Sequence, residues 1–301
     1  MQIVSFGDLN LDYYIRDNLV AGINIGGTSM LTLLNLSDKF NKKAITVSGC
    51  DIQSDISKEI LSRFNVNHIN EGIAEKTKLN FVKVKYTTEI CPFCDRRINY
   101  ESKLELDYIL NNIEEDDILI IDSLDELNTK VVNNTANEKY LILKCIESIM
   151  YYDLDDLKEY YNKFELILFN VEVIKYIIKK FDIDEVDILN IFGPKMIIIN
   201  KDKQGLEFIY NENIYEKDYD NYKEPIDISG TSESIFAKII EIYLNNNKEL
   251  DDKILSIMFM RGQIASQIVQ NRIGGLAHLS PNYKIENYTE CICKKISVKK
   301  A

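Results

Sequence analysis

The chain has 301 residues, 46% of them hydrophobic and 28% charged, with a formal net charge of -12 and a pI near 4.9. That length and apolar content suffice for a large core, as one sizeable α/β domain or two modest ones. An acidic excess of this size repels nucleic-acid backbones and anionic membranes, so neither is an expected partner.

Met1-Gln2-Ile3-Val4-Ser5-Phe6 carries no basic leader before Gly7 and Asp8, and no apolar run reaches the ~20 residues of a bilayer span. A cytoplasmic protein is expected. The six cysteines fit reduced thiols or a metal site better than a secreted disulfide framework in a chain of this size.

Gln2 to Phe6 is a short apolar run ending in Gly7-Asp8, and Ala44 to Val47 is a second ending in Ser48-Gly49. Both read as buried strands that deliver polar loops. Between them, Gly26-Gly27-Thr28 opens a helix made apolar by Met30, Leu31, Leu33, Leu34 and Leu36, and Ile52 to Phe64 has helical spacing. Asn80 to Tyr86 alternates apolar and polar residues, the pattern of a half-exposed antiparallel strand, with Ile98 to Glu101 as its hairpin partner. Strands follow at Asp117 to Asp122, Tyr140 to Cys145, Leu166 to Phe169 and Met196 to Ile199, interleaved with helices such as Val173 to Phe181. This alternation predicts a parallel sheet with helices on both faces. The final third turns helical, at Ser232 to Leu244 and Leu250 to Ile273. With no linker and no repeat, the expectation is one α/β domain over 1–285 with a hairpin at 80–103, then a tail at 286–301 in which Lys294, Lys295, Lys299 and Lys300 are solvated.

The stretch Asp227-Ile228-Ser229-Gly230-Thr231-Ser232-Glu233 is the most suggestive chemically. A small-residue turn entering a helix presents unpaired N–H groups at the positive end of the dipole, which is an anion site. Glu233, in the first turn, is placed to act as a base. Taken alone, the same turn is an ordinary helix start capped by Ser232 or Thr231. Upstream, Asp12 and Asn10 are suited to accept or donate hydrogen bonds to sugar hydroxyls, and Gly26-Gly27 to let backbone approach a ligand closely. Cys91-Pro92-Phe93-Cys94 has zinc-knuckle spacing, and Cys291-Ile292-Cys293 is a candidate second half; a redox pair or a disulfide within either pair is the alternative. Cys50 and Cys145 read as buried small apolar residues. His68 and His278 have no ligand spacing and read as packing or surface residues.

These motifs, in this order, resemble those of the ribokinase-like (PfkB) carbohydrate kinases. Asp227 to Glu233 is similar to the family's Asp-Thr-x-Gly-Ala-Gly-Asp, with Gly-Thr-Ser-Glu in place of Gly-Ala-Gly-Asp. Gly7-Asp8-Leu9-Asn10-Leu11-Asp12 looks like its first-strand motif, and Gly26-Gly27 like its glycine pair. Ser48-Gly49-Cys50-Asp51 looks like its Val-Gly-Asp-Asp, and Asn170-Val171-Glu172 like the start of its Asn-Glu-x-Glu. Asn200-Lys201-Asp202-Lys203-Gln204-Gly205 stands where the family has Thr-x-Gly-x-x-Gly, and Gln263 to Gly275 resembles the late helix beside the adenine.

The resemblance implies a three-layer ribokinase-like α/β fold with a small β-hairpin lid. It also implies transfer of the γ-phosphoryl of ATP, with Mg²⁺, to a hydroxyl of a small carbohydrate or nucleoside. Glu233 is then the base and Gly230, Thr231 and Ser232 the anion hole, with Asn10, Asp12, Gly26 and Gly27 on the substrate. Asn170, Asn200, Asp202, Gly205 and Gln263 fall on the nucleotide side, and Cys91, Cys94, Cys291 and Cys293 are candidate ligands of a structural Zn²⁺. The interval from Asp12 to Gly26 looks too short for the lid strand inserted there in the family, which leaves enclosure to the 80–103 hairpin or to a partner chain in a homodimer. Glu233 and Asp202 also suit an alternative, a catalytically impaired relative that binds sugar or nucleotide as a sensor or interaction module.

Overall fold

The computed structural model describes residues 1–70, 75–84, 96–98, 104–135, 140–145, 152–218, 224–276 and 297–300. Cys91, Cys94, Cys291, Cys293, His278 and the Tyr100-Glu101 end of the expected hairpin lie outside these residues.

The elements, in chain order, begin with β1 (Ile3–Asp8), β2 (Asn10–Arg16), β3 (Leu19–Gly26), α1 (Thr28–Asn35), β4 (Lys42–Val47), α2 (Ile52–Arg63), β5 (Val66–Asn70), β6 (Lys78–Lys83) and β7 (Arg96–Ile98). The middle holds α3 (Leu106–Asn111), β8 (Ile118–Ile121), α4 (Glu126–Asn134), β9 (Tyr140–Cys145), α5 (Leu154–Lys158), β10 (Phe164–Asn170), α6 (Val171–Phe181) and α7 (Asp187–Phe192). Then come β11 (Met196–Asn200), β12 (Leu206–Tyr210), β13 (Asn213–Lys217), α8 (Thr231–Asn245), α9 (Asp252–Gln270) and β14 (Ser297–Lys300).

The main sheet runs β14-β13-β12-β11-β10-β9-β8-β1-β4-β5, parallel from β11 to β5 and antiparallel from β11 to β14. Its apolar runs exist because both faces are covered. Ile3, Ile118, Leu166, Leu168, Ile198 and Phe208 pack with α1, α8 and α9. Their strand neighbours Val4, Leu119, Ile167, Phe169, Ile197 and Ile209 pack with α3 to α7. The parallel strands therefore end along one edge, and the residues just past those ends share one crevice.

A second sheet, β3-β2-β6-β7, covers that edge. The hairpin read from the sequence is present as β6 and β7, paired Leu79↔Ile98 and Asn80↔Arg97. The reading of the Asp12 to Gly26 interval is overturned. It holds two lid strands, β2 and β3, joined by Asp17-Asn18 with φ of 50° and 62°, the paired left-handed conformation of the tightest hairpin turns. Asp12 accordingly lies inside a strand.

Asp51 anchors the lid to the main sheet. It caps α2 by accepting from Ser54 N at 2.9 Å, and it accepts from Thr77 N at 2.7 Å and Thr77 Oγ1 at 2.6 Å just before β6. Gly49 packs so closely on Lys76 that a Cβ there would overlap backbone. Burial alone would raise the Asp51 carboxyl, but the bonds from Thr77 and Ser54 outweigh it and hold the pKa below the ordinary 3.8. Two further readings change. Cys50, beside Asp51, is exposed. Lys299 and Lys300, read as part of a tail, lie instead in the strand β14, their backbones paired with Ile214 and Asn213 of β13.

Replacing Asp51 with Ala should cost about 1–2 kcal/mol, the range for a lost N-cap, in urea unfolding at pH 7. Because the folded pKa is depressed, the wild-type advantage should shrink as pH falls below the ordinary carboxylate range. A loss within error of zero would rule out the anchoring role.

Candidate active site

The turn before α8 is organised by one carboxylate. Asp227, 2% exposed, accepts from Ser229 N at 3.0 Å and Ser229 Oγ at 2.7 Å through one oxygen, and from Gly274 N at 3.1 Å through the other. Gly230 follows with φ 73°, and a Cβ on it would overlap the Gly275 backbone, so only glycine fits. Gly230 is the N-cap of α8, and no side chain caps the helix. Thr231 Oγ1 instead donates back to Ile228 O at 2.8 Å. The expected capping by Thr231 or Ser232 is thus absent; the Thr231 amide turns back to Ile228 O at 3.3 Å, which leaves those of Gly230 and Ser232 to meet an anion.

One flank of the turn gathers the residues expected on the nucleotide side. Asn170 and Asn200 end β10 and β11 as register partners. Asn200 Nδ2 donates to Ser232 Oγ at 2.8 Å, and Ser232 Oγ donates to Asn170 Oδ1 at 3.4 Å. Asp202 follows with φ 52°, its amide donating to Asn200 Oδ1 at 3.1 Å. It keeps the left-handed backbone that a glycine takes freely, and Asp is among the residue types that tolerate it. Desolvation and then the charge of Glu172 raise the Asp202 carboxyl, against an opposing pull from Lys175. Gly205, φ 102°, closes the loop against the backbone of Lys217. Gln263 is not joined to this group: buried on α9, its side chain donates to Asp218 O at 2.7 Å.

Beneath this loop, Lys201 Nζ pairs with the fully buried Glu207 and lies 2.8 Å from Glu216 Oε1. Burial outweighs Lys201's attraction, with Glu185 adding repulsion, and pushes the Glu207 carboxyl from 4.5 up to about 7.

The other flank is the lid. Asp12, 7% exposed, accepts from Asn80 Nδ2 at 2.6 Å. Its carboxylate occupies the space a Gly26 side chain would fill. Gly26 therefore leaves room for the Asp12 carboxylate. Gly27, φ 94°, starts α1 and lines a cavity of about 720 Å³ together with Asn10, Asp8, Ser29 and Asp122. Glu233 is 8% exposed.

Sequence reasoning missed Tyr14. It is 1% exposed, and burial, then the charges of Asp12, Asp227 and Glu233, drive its phenol far above the usual range. Alternation along β2 was the available signal, since Asn10, Asp12 and Tyr14 are two apart and share a face. His68 has the expected packing role: its Nε2 lies 2.7 Å from Thr46 Oγ1, and burial lowers it to about 4.

A mostly parallel sheet with helices on both faces, crossed at its strand ends by a β lid over a glycine turn, is the ribokinase-like carbohydrate kinase fold. The fold is shared at low identity with several solved structures. A fructokinase from Vibrio cholerae O395, in its fructose, ADP and calcium ion bound form, has a TM-score of 0.70 at 11% identity over 92% of this chain and 95% of that one. An uncharacterized sugar kinase from Pyrococcus horikoshii in complex with ATP gives 0.68 at 15% identity over 91% and 94%. A Methanocaldococcus jannaschii nucleoside kinase, described as an archaeal member of the ribokinase family, gives 0.67 at 16% over 91% and 93%. No family profile and no curated protein matches the sequence. No helix among the described residues is long and apolar enough to cross a membrane.

The Glu207 shift has a defined pH consequence. The folded state holds a proton between about pH 4.5 and 7 that the unfolded state has released, so stability falls as pH rises through that window and levels off above it. Glu207→Gln removes this loss while Lys201 keeps Glu216. The variant should match wild type near pH 4.5 and exceed it by about 1–3 kcal/mol at pH 8 in denaturant titrations. A variant less stable than wild type at pH 8 would show that the Lys201 pair, not burial, dominates.

Proposed function

We propose that this chain is an ATP-dependent kinase that phosphorylates a hydroxyl of a small carbohydrate or nucleoside. The observation that carries the reading is the two-sidedness of the Asp227–Glu233 turn. One side is hydrogen-bonded through Ser232 to Asn170 and Asn200 at the strand ends. The other carries buried Glu233 toward the lid residue Tyr14, next to Asp12. The solved structures of like fold include kinases complexed with ATP and with fructose and ADP, which supports the same division here.

In this reading Asp12 and Asn10 orient the acceptor from the lid, and Glu233 accepts its hydroxyl proton as the oxygen attacks the γ-phosphorus. The bond to the β-phosphate oxygen breaks and ADP leaves. The amides of Gly230 and Ser232 meet charge on the transferring group, where preorganised donors act most strongly, while that of Thr231 is engaged by Ile228 O. Asn170 and Glu172 supply oxygen donors of the kind a hard divalent cation takes, and Mg²⁺ held there would neutralise phosphate charge.

Screening sugars and nucleosides by ADP release and by calorimetry tests the proposal. Glu233→Gln should lower kcat by about 10²–10⁴ with substrate binding retained. Undiminished turnover in that variant would remove Glu233 from the mechanism, and no ADP release with any acceptor would remove the kinase reading. Asp202→Gly keeps the φ 52° backbone and deletes a carboxylate facing the phosphates, so KM for ATP should fall several-fold; a rise would show that Asp202 helps to hold the nucleotide.

A further inference from the structure

Three helices, α1, α3 and α4, begin at the wall of the cavity that Asn10 and Gly27 line, and carboxylates stand at each start. At α1, Ser29, 3% exposed, donates through its hydroxyl to Asp122 Oδ2 at 3.0 Å. α4 is capped by Asp125, which accepts from Asn128 N at 2.9 Å and Ser123 Oγ at 2.6 Å, with Glu126 in its first turn. α3 has Glu105 at its N-cap and Asp107 in its first turn. A helix start draws anions through its free amides and dipole, and here the chain's own carboxylates already answer that pull. The start of α8 differs, with Gly230 at the N-cap and no capping side chain. Asp8, at the end of β1, adds a carboxylate and is ion-paired with Lys78. Among the described residues that line the cavity, six carry carboxylates and one, Lys130, a cation, itself 2.6 Å from Glu126.

We infer that the cavity admits an acceptor without negative charge, a neutral polyol or an amine-bearing sugar, and that Asp122 is the residue that chiefly sets this choice. The inference rests on the proposed function and names the substrate class of that site. Asp122 follows β8 and Asp8 ends β1, and these strands are hydrogen-bonded neighbours, so both carboxylates stand at the strand-end side of the cavity. Gly27, the N-cap of α1, has open space before it, with Asn10 Nδ2 3.8 Å from an added Cβ. A ligand that reaches the α1 start therefore meets Asp122, held there by the buried Ser29. Hydroxyls and ammonium groups can donate to such oxygens, whereas a phosphate or carboxylate brings acceptors and like charge. The crevice is thereby divided by charge: the transferring phosphoryl group meets the bare start of α8, and the acceptor's part offers no helix start without a carboxylate of its own.

The test measures ADP release and calorimetric binding for glucose, fructose and glucosamine beside the 1- and 6-phosphates of glucose and fructose, so that each ester leaves one primary or anomeric hydroxyl free. Wild type should prefer the neutral sugar or the amine over the phosphate ester by about 100-fold, the scale of a like charge set into an acidic site. Asp122→Asn keeps the shape and an oxygen to accept from Ser29, and it should cut that preference to about tenfold. Glu105→Gln, at an exposed cap position that makes no side-chain cap bond, should move it the same way by about twofold, which guards against a folding defect in the first variant. Equal binding of a sugar and its ester by wild type, an unchanged preference in both variants, or no binding of any of these sugars would each overturn the inference. Selective binding with no ADP release from any acceptor would instead remove the kinase reading alone, so the two failures separate.

Discussion

The buried carboxylate of Asp227 is the contact on which the site depends. Its three accepted hydrogen bonds tie the turn to itself and to Gly274. That pairing brings Gly275 against Gly230 at a separation only two glycines allow. Asn35 on α1 then donates to Gly275 O at 3.0 Å and Asn24 on β3 donates to Gly274 O. The loop after α9, the start of α8, α1 and the lid thus meet around one charge. A buried carboxylate is costly unless its lone pairs are satisfied, and here satisfying them sets the direction of the helix entrance.

The uncapped start of α8 is a consequence of this arrangement. Because Gly230 is held in the left-handed region by its contact with Gly275, no side chain stands at the N-cap to accept from the first-turn amides. Thr231 and Ser232, both competent to cap, are directed elsewhere, Thr231 to Ile228 O and Ser232 to the asparagines at the ends of β10 and β11. The helix end is left for an external acceptor, while its side chains connect it to the sheet.

How much of this was legible depended on whether a signal is local. Strand ends marked by an apolar run and a polar stop, such as Phe169-Asn170 and Ile199-Asn200, were readable, and the parallel sheet then brought Asn170 and Asn200 together. The lid was half legible. Asn80 to Tyr86 showed its alternation, but β3 is nearly apolar on both faces and its turn with β2 is the bare pair Asp17-Asn18. Contacts between residues far apart in sequence left no periodic trace. Asn80 bonds Asp12 across 68 positions, and the Gly26 conformation serves a carboxylate fourteen residues earlier. Tyr14 escaped for the same reason, since Asp227 and Glu233, whose charges act on it, belong to the other end of the chain.

The two departures from the resembled motifs have different physical standing. Asp202 preserves the backbone path of a glycine, with φ 52° and its amide on Asn200, and changes only the charge of that loop. Glu233 instead changes reach by one methylene within a turn held rigidly by Asp227, Gly230 and Gly275. A rigid turn cannot retreat to absorb the extra length, so any adjustment falls to what lies across from it, namely the acceptor and the lid face of Asp12 and Tyr14. Positioning errors of about 1 Å are enough to govern rate at such a centre. In the proposed kinase reading, the choice of acceptor is therefore coupled to how the lid seats on the turn, and the longer carboxylate would suit a substrate whose reactive hydroxyl is held correspondingly farther out.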